Sequence, residues 1–177
     1  MDTRKTRTWA EVSLGALRHN VEEMQRALPD GCGLLGVVKA DAYGHGASEI
    51  AAALRECGCR YLAVACPQEA LALRQAGETM PILILGAVDA AFASDMAAND
   101  ITLSVECAEK GRALSAALRG GERLRIHLKL DTGMGRLGFR VQDETALREA
   151  AAVAQLPNLD AEGVFTHFSV SDTPGEE

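Results

Sequence analysis

The sequence has few aromatic residues and no long apolar segment. One Trp, two Tyr and four Phe make up 4% of the 177 residues, whereas 47% of the residues are hydrophobic. A core of this composition must be built from small aliphatic side chains, and a chain of this length is long enough to bury one. No apolar run approaches the roughly 20 residues that a membrane-spanning helix needs. We therefore expect one folding unit without a membrane segment.

The sequence also lacks a basic stripe and a secretion signal. Its formal net charge is -7, and no cluster of basic residues could neutralise a row of phosphates, so we expect no nucleic-acid partner. The polar residues 1–7 lack the apolar centre of a signal peptide, which makes the cytoplasm the expected location. An anionic cofactor would need local hydrogen-bond donors, because the overall charge of the chain repels it.

The cysteines form no metal-binding pattern. Cys57 and Cys59 are separated by one residue and have no second pair nearby, so we expect no metal site. The number of cysteines is odd and they are scattered, which suits reduced thiols better than a disulfide framework. The five are Cys32, Cys57, Cys59, Cys66 and Cys107.

Short apolar segments alternate along the chain with segments of helical spacing. Apolar residues recur every three or four positions after Ser13, which predicts a helix with Ser13 as its cap. Six buried strands are predicted near residues 34, 61, 82, 101, 124 and 161, and helices separate them. Residues Thr6 to Val12 are compatible with an edge strand or with a solvated tail. Strands of this kind form a parallel sheet that is covered on both faces.

Six such units fit either an open doubly wound sheet or most of an eight-unit barrel. Composition does not separate the two architectures. The Gly-x-Gly-x-x-Gly turn of dinucleotide-binding folds is absent after the first strand, which weakens the doubly wound alternative.

The most informative segment is a strand that ends at Lys39. Desolvation at a strand end favours the neutral amine, which is the form that attacks an aldehyde. For a strand-end lysine taken by itself, a side chain that only extends to water is the more common explanation. We expect Asp41 and His45 to stabilise the loop that follows. The segment reads Val37-Val38-Lys39-Ala40-Asp41-Ala42-Tyr43-Gly44-His45-Gly46.

Two later strands also end in residues that could carry chemistry. Lys129 precedes a loop with three glycines, and Arg136 lies in that loop, where a guanidinium can hold an anion through two hydrogen bonds. A solvated surface arginine is the alternative. His167 ends the last strand, where a locally satisfied polar residue is also a sufficient explanation. We expect His127 to be structural and to point away from the face that Lys129 occupies.

These three segments resemble the alanine racemase family. The resemblance implies that Lys39 binds pyridoxal 5'-phosphate covalently and acts as a catalytic base, and that Tyr43 contacts the cofactor phosphate. It also implies that Arg136 contacts both cofactor and substrate. A carbamylated Lys129 would then position Arg136, because an unmodified lysine would repel it.

The same resemblance implies two further cofactor contacts and a fold. Leu85 and His167 match residues that line the cofactor site. The implied fold is a (β/α)8 TIM-type barrel, of which residues 1–177 form roughly the first six units, with the active site at the carboxyl ends of the strands. The remaining barrel units and a carboxyl-terminal β domain would lie in a complementary half outside this chain.

The implied function is the interconversion of L- and D-alanine, which supplies D-alanine for peptidoglycan. The resemblance implies a homodimer, in which the second catalytic base comes from the partner subunit, and we expect this chain alone to be inactive. Three alternatives remain open. These are the serine/alanine racemase module of glycopeptide resistance, a non-catalytic pyridoxal-phosphate-binding barrel and a purely structural part of a barrel.

Overall fold

The computed structural model describes residues 8–173, in which parallel strands alternate with helices. The strands are β1 (Leu35–Val37), β2 (Tyr61–Val64), β3 (Ile82–Ile84), β4 (Ile101–Val105), β5 (Leu124–Asp131), β6 (Phe139–Arg140) and β7 (Leu159–Phe165). The helices are α1 (Leu14–Ala27), α2 (Lys39–Gly44), α3 (Ala47–Glu56), α4 (Pro67–Gln75), α5 (Ala93–Ala98), α6 (Ala108–Ala117) and α7 (Glu144–Ala154). A 3-10 turn (Ala90–Phe92) precedes α5.

The order of the strands identifies the architecture. Apart from the two-residue strand β6, each strand pairs in parallel with the next one in the chain, so that the sheet runs β1-β2-β3-β4-β5-β7. A doubly wound sheet reverses its strand order at a switch point, whereas a barrel adds every strand on the same side. This sheet has no reversal, and it is therefore part of a barrel wall.

The core is aliphatic, as the composition predicts. Every residue of β3 and β4 is buried. The largest fully buried side chains include Leu62, Ile82, Met96, Leu103 and Leu114. The burial of these apolar side chains is the main favourable contribution to the free energy of folding.

The ends of the helices follow from capping residues. The Ser13 side chain accepts a hydrogen bond from the Ala16 amide at 3.2 Å, which confirms the predicted cap of α1. Asp143 caps α7 in the same way through the Thr145 amide, at 2.8 Å. Pro67 opens α4, where the missing amide proton of proline has no cost.

One of the two alternatives for residues Thr6 to Val12 is not observed, and one short strand was not predicted. Residues 8–12 form no strand and are exposed, as the solvated-tail alternative expects, and Thr6 and Arg7 lie outside the described residues. The two-residue strand β6 was not predicted. It pairs with the end of β5 after the glycine-rich loop and is too short to show a pattern in the sequence.

The first strand leaves apolar side chains uncovered. Leu35 and Val37 are each 39% exposed, and β1 pairs on one edge only among the described strands. In a complete sheet, an unpaired strand edge with exposed apolar side chains is normally paired or covered.

None of the helices in the described part of the chain is long and apolar enough to cross a membrane.

Candidate active site

The carboxyl ends of the strands surround a cavity of about 740 Å³. The site residues predicted from the sequence come from several parts of the chain and all line this one cavity. They are Lys39, Tyr43, Leu85, Lys129, Arg136 and His167. The structure therefore brings together six residues that are spread over 129 positions, 39 to 167.

A left-handed turn carries Lys39 and Tyr43 to the cavity. The four residues after Lys39, Ala40–Tyr43, have φ between 50° and 56° and ψ between 35° and 50°. None of these residues is glycine, and a left-handed conformation costs roughly 1–2 kcal/mol per L-residue. The turn places the Lys39 Nζ 5.9 Å from the centre of the Tyr43 ring. The sequence predicted a loop here, and its handedness is a finding of the structure.

Local hydrogen bonds offset part of this strain. The Asp41 side chain accepts from the Ala47 amide at 2.7 Å, at the start of α3. The His45 ring nitrogen Nδ1 lies 2.8 Å from the Ala42 carbonyl oxygen. The predicted stabilising contacts of Asp41 and His45 are thus confirmed.

Lys129 is a buried amine on the wall of the cavity. It is 4% exposed, and its Nζ donates to the Leu130 carbonyl at 3.1 Å and lies 5.1 Å from the centre of the Phe165 ring. Burial lowers the pKa of Lys129, the positive charge of Arg136 lowers it further, and Asp131 opposes the shift. These two effects shift the Lys129 equilibrium toward the neutral amine relative to a lysine in water.

The glycine-rich loop after β5 holds Arg136 at the cavity. Asp131 accepts hydrogen bonds from the Gly133 and Gly135 amides, both at 3.0 Å, and these bonds lower the pKa of its carboxyl. Gly138 has φ 126°, and a Cβ there would lie 2.8 Å from the Asp131 backbone nitrogen. Only glycine fits this close approach. The exposed Arg136 guanidinium forms no ion pair or hydrogen bond with any residue within 8–173.

The expected orientation of His127 is wrong. Side chains two positions apart in a strand share a face, so His127 points to the same side as Lys129 and lines the same cavity. Its Nε2 lies 3.5 Å from Glu162 Oε1, and burial lowers the pKa of its ring while Glu162 raises it. Gly163 leaves room for the ring, because a Cβ at that position would lie 2.8 Å from the His127 Cε1 atom.

Glu162 connects His127 to two further polar side chains that sequence reasoning missed. The Tyr61 hydroxyl donates to Glu162 Oε1 at 2.7 Å and lies 2.8 Å from Thr102 Oγ1. Burial, opposed by the hydrogen bond with Thr102 and supported by Glu162, raises the pKa of Tyr61 to about 12. The alternation along β5 was the available signal for His127, whereas no sequence pattern pairs residues 61, 102 and 162.

The cavity is basic although the chain is acidic. Its lining within the described residues contains Lys39, Lys129 and Arg136 and no Asp or Glu. No group of three or more metal-ligating side chains occurs in the described part of the chain either. The arrangement favours an anionic organic ligand, and the Lys39 amine lines the same cavity.

Known proteins share both the sequence and the fold of this chain. Residues 12–177 match the family model described as "Alanine racemase, N-terminal domain". The alanine racemase of Geobacillus stearothermophilus is 45% identical over 165 residues, which cover 93% of this chain and 42% of that protein.

Two solved structures extend the comparison. Alanine racemase from Clostridium difficile 630 superposes with a TM-score of 0.90 at 39% identity, over 95% of this chain and 46% of that chain. A histidine racemase from Leuconostoc mesenteroides subsp. sake superposes with a TM-score of 0.81 at 32% identity, over 93% and 44%. The predicted fold, part of a (β/α)8 barrel, is thus confirmed. The chain spans less than half the length of the proteins it matches.

Proposed function

The chain belongs to the family of alanine racemase N-terminal domains, and on this premise we propose that it is the cofactor-binding part of a pyridoxal-phosphate-dependent alanine racemase. The enzyme interconverts L- and D-alanine in the cytoplasm and supplies D-alanine for peptidoglycan. The observation that carries the proposal is the meeting of six separate residues at one basic cavity.

The cavity suits pyridoxal 5'-phosphate in size and in chemistry. Its volume of about 740 Å³ lies within the roughly 300–1,000 Å³ that is usual for small-molecule sites. The cofactor is an anionic aldehyde, and the described lining offers amines and a guanidinium but no carboxylate that would repel the phosphate. When bound, pyridoxal phosphate withdraws electrons from the substrate α-carbon and so makes its hydrogen acidic.

Lys39 has the central role. Its Nζ would hold the cofactor aldehyde covalently and, once displaced by the substrate amine, would exchange a proton with the α-carbon on one face. Tyr43, which the same turn carries, would donate a hydrogen bond to the phosphate. Because one turn carries both residues, the distance between the covalent link and the phosphate contact is set by local backbone geometry.

Arg136 and Lys129 act together in this proposal. Two donors of the Arg136 guanidinium would hold the substrate carboxylate and the cofactor oxygen. The neutral amine of Lys129 would add to CO2, which forms a nitrogen–carbon bond, releases a proton and leaves a negative carbamate. Lys129 repels the Arg136 guanidinium when its amine is protonated, whereas the negative carbamate would attract the guanidinium and hold it in place.

The remaining contacts shape the site. Leu85 lies at the end of β3 and would pack against the cofactor, excluding water from the reacting face. His167, at the end of β7, would pack on the cofactor ring and join its polar contacts.

A complementary half and a second subunit complete the proposal. We infer that further barrel strands cover the apolar face of β1, where Leu35 and Val37 are exposed. The relatives are more than twice as long as the matched region, which leaves room for these strands and for a carboxyl-terminal domain. A second acid–base group on the opposite face of the substrate would come from the partner subunit of a homodimer.

The test is racemisation by this chain combined with a complementary carboxyl-terminal half. The wild-type combination should convert L-alanine to D-alanine, and Lys39→Ala should abolish the conversion. Lys110→Ala, which removes a lysine of α6 outside the cavity, is the matched control and should leave it unchanged. A Lys39→Ala combination with full turnover would overturn the proposal.

The same assay separates the alternatives. Turnover of serine at a rate similar to that of alanine would indicate a serine/alanine racemase, and cofactor binding without turnover would indicate a carrier. Histidine should also be assayed as a substrate, because the histidine racemase of Leuconostoc mesenteroides shares this half of the fold.

A further inference from the structure

One carboxylate joins the start of the left-handed turn to the end of the neighbouring strand. Glu69 lies in the first turn of α4. Its Oε1 accepts a hydrogen bond from the Ala40 amide at 2.7 Å, and its Oε2 accepts one from the Ala65 amide, also at 2.7 Å. Ala40 follows Lys39 directly, and Ala65 follows β2 directly.

The two amides lie where β1 turns away from β2. Val38, the last residue before the turn, still donates to the Ala63 carbonyl of β2 at 2.8 Å. The Val38 carbonyl accepts from the Ala42 amide at 2.9 Å. Within residues 8–173 neither the Ala40 amide nor the Ala65 amide donates to a backbone carbonyl of the sheet, and the Glu69 carboxylate accepts from both.

The turn needs hydrogen bonds of this kind to hold it in place, because its backbone is strained. Four consecutive L-residues adopt a left-handed conformation, which persists only where surrounding contacts hold it. Asp41 joins the turn to the start of α3, because its side chain accepts a hydrogen bond from the Ala47 amide. Glu69 holds the beginning of the turn, and hydrogen bonds that involve a charged acceptor are about twice as strong as neutral ones.

Glu69 does not line the basic cavity. It lines a separate cleft of about 320 Å³ together with Val38, Asp41 and Val64. It therefore acts on the site only through the backbone.

We propose that Glu69 is a positioning residue, whose carboxylate fixes the first residue of the left-handed turn and thereby aims the Lys39 amine into the cavity. This role rests on the proposed function of Lys39. Without the two bonds, the strained turn relaxes toward right-handed or extended conformations, and Lys39 and Tyr43 no longer face the same cavity.

The decisive variant is Glu69→Gln, which keeps the size of the side chain. Its amide offers one acceptor oxygen, and its NH2 group faces an N–H donor, so that one of the two bonds is lost. Glu69→Asp keeps the charge but is one methylene shorter and reaches only one of the two amides. Glu49→Gln is the matched control. It removes a carboxylate from the first turn of α3, and Glu49 accepts no hydrogen bond from any residue in the described range.

Two measurements test the role. The first is hydrogen exchange at the Ala40 and Ala65 amides by NMR. Because each variant loses one of the two hydrogen bonds, we expect at least one of these amides to exchange roughly tenfold faster in Glu69→Gln and in Glu69→Asp. The second is the rate at which added pyridoxal 5'-phosphate is captured covalently at Lys39, trapped with borohydride and quantified by mass spectrometry. Capture should slow by a similar factor in both variants and stay unchanged in Glu49→Gln.

The outcomes separate this inference from the proposed function. Wild-type exchange and capture rates in Glu69→Gln would overturn the positioning role, as would an equal effect of Glu49→Gln. If Glu69→Gln does not fold, the test is hydrogen exchange at the Ala40 and Ala65 amides of the wild-type chain. Slow exchange at these amides supports the inference, and rapid exchange overturns it. A wild-type chain that captures no cofactor refutes the proposed function. The exchange data would still show whether Glu69 holds the Ala40 and Ala65 amides.

Discussion

Substitution of Gly138 by alanine tests how the loop that carries Arg136 is held. Gly138 has φ 126°, a conformation that L-residues rarely adopt, and the strain of an alanine there is of order 1–3 kcal/mol. The new Cβ would also lie 2.8 Å from the Asp131 nitrogen and 2.9 Å from the Lys129 carbonyl oxygen. Displacing packed backbone costs about 1–3 kcal/mol more. We therefore expect Gly138→Ala to lower the free energy of unfolding by about 2–6 kcal/mol, measured by urea denaturation followed by circular dichroism.

Gly120→Ala is the control for the backbone conformation alone. Gly120 has φ 59°, and no atom lies within 4 Å of the position of its Cβ. The left-handed conformation costs about 1–2 kcal/mol, and the lower entropy of the unfolded alanine chain offsets about 0.4–1 kcal/mol of this. If Gly138→Ala destabilises the chain no more than Gly120→Ala does, the argument that the loop packs tightly on β5 is refuted.

Two further predictions concern buried titratable groups. Because folding lowers the pKa of Lys129 below its ordinary value of 10.5, the unfolded chain binds more protons just below that pH, and stability should rise with pH through this window. Lys129→Met should flatten the rise in CO2-free buffer, and an unchanged slope in urea titrations between pH 8 and 10 would contradict the burial argument. Because the pKa of Tyr61 is raised from 10 to about 12, the unfolded chain loses this proton first, and stability should fall between those pH values. Tyr61→Phe should remove that part of the fall in thermal melts, and a fall that persists unchanged in Tyr61→Phe would contradict this reasoning.

Most of the fold was predictable because its signals are local. Buried parallel strands read as apolar runs, and caps such as Ser13 and Pro67 mark helix starts, so the six long strands and their helices were found in the sequence. β6 was not, since a two-residue strand carries no pattern. The sequence left an edge strand and a solvated tail open for residues Thr6 to Val12, because strand pairing depends on a neighbour that the local sequence does not specify.

The site was predictable as a set of residues but not as a geometry. A motif locates Lys39 and Tyr43, but Ala40 and Ala42 have no preference for the left-handed conformation that they adopt. That conformation is imposed by contacts with residues far along the chain, such as Glu69. His127 was misplaced through an error in strand alternation, and its partner Glu162 is separated from it by 35 positions.

The central claim is that the Lys39 amine binds the cofactor aldehyde. The sequence contains four lysines, Lys5, Lys39, Lys110 and Lys129, so the site of attachment is open to direct identification. The chain would be incubated with pyridoxal 5'-phosphate, reduced with borohydride, digested and analysed by mass spectrometry. We predict that the phosphopyridoxyl group is found on Lys39 and is absent after Lys39→Ala. Modification of Lys110 or Lys129 with Lys39 left free would contradict this account.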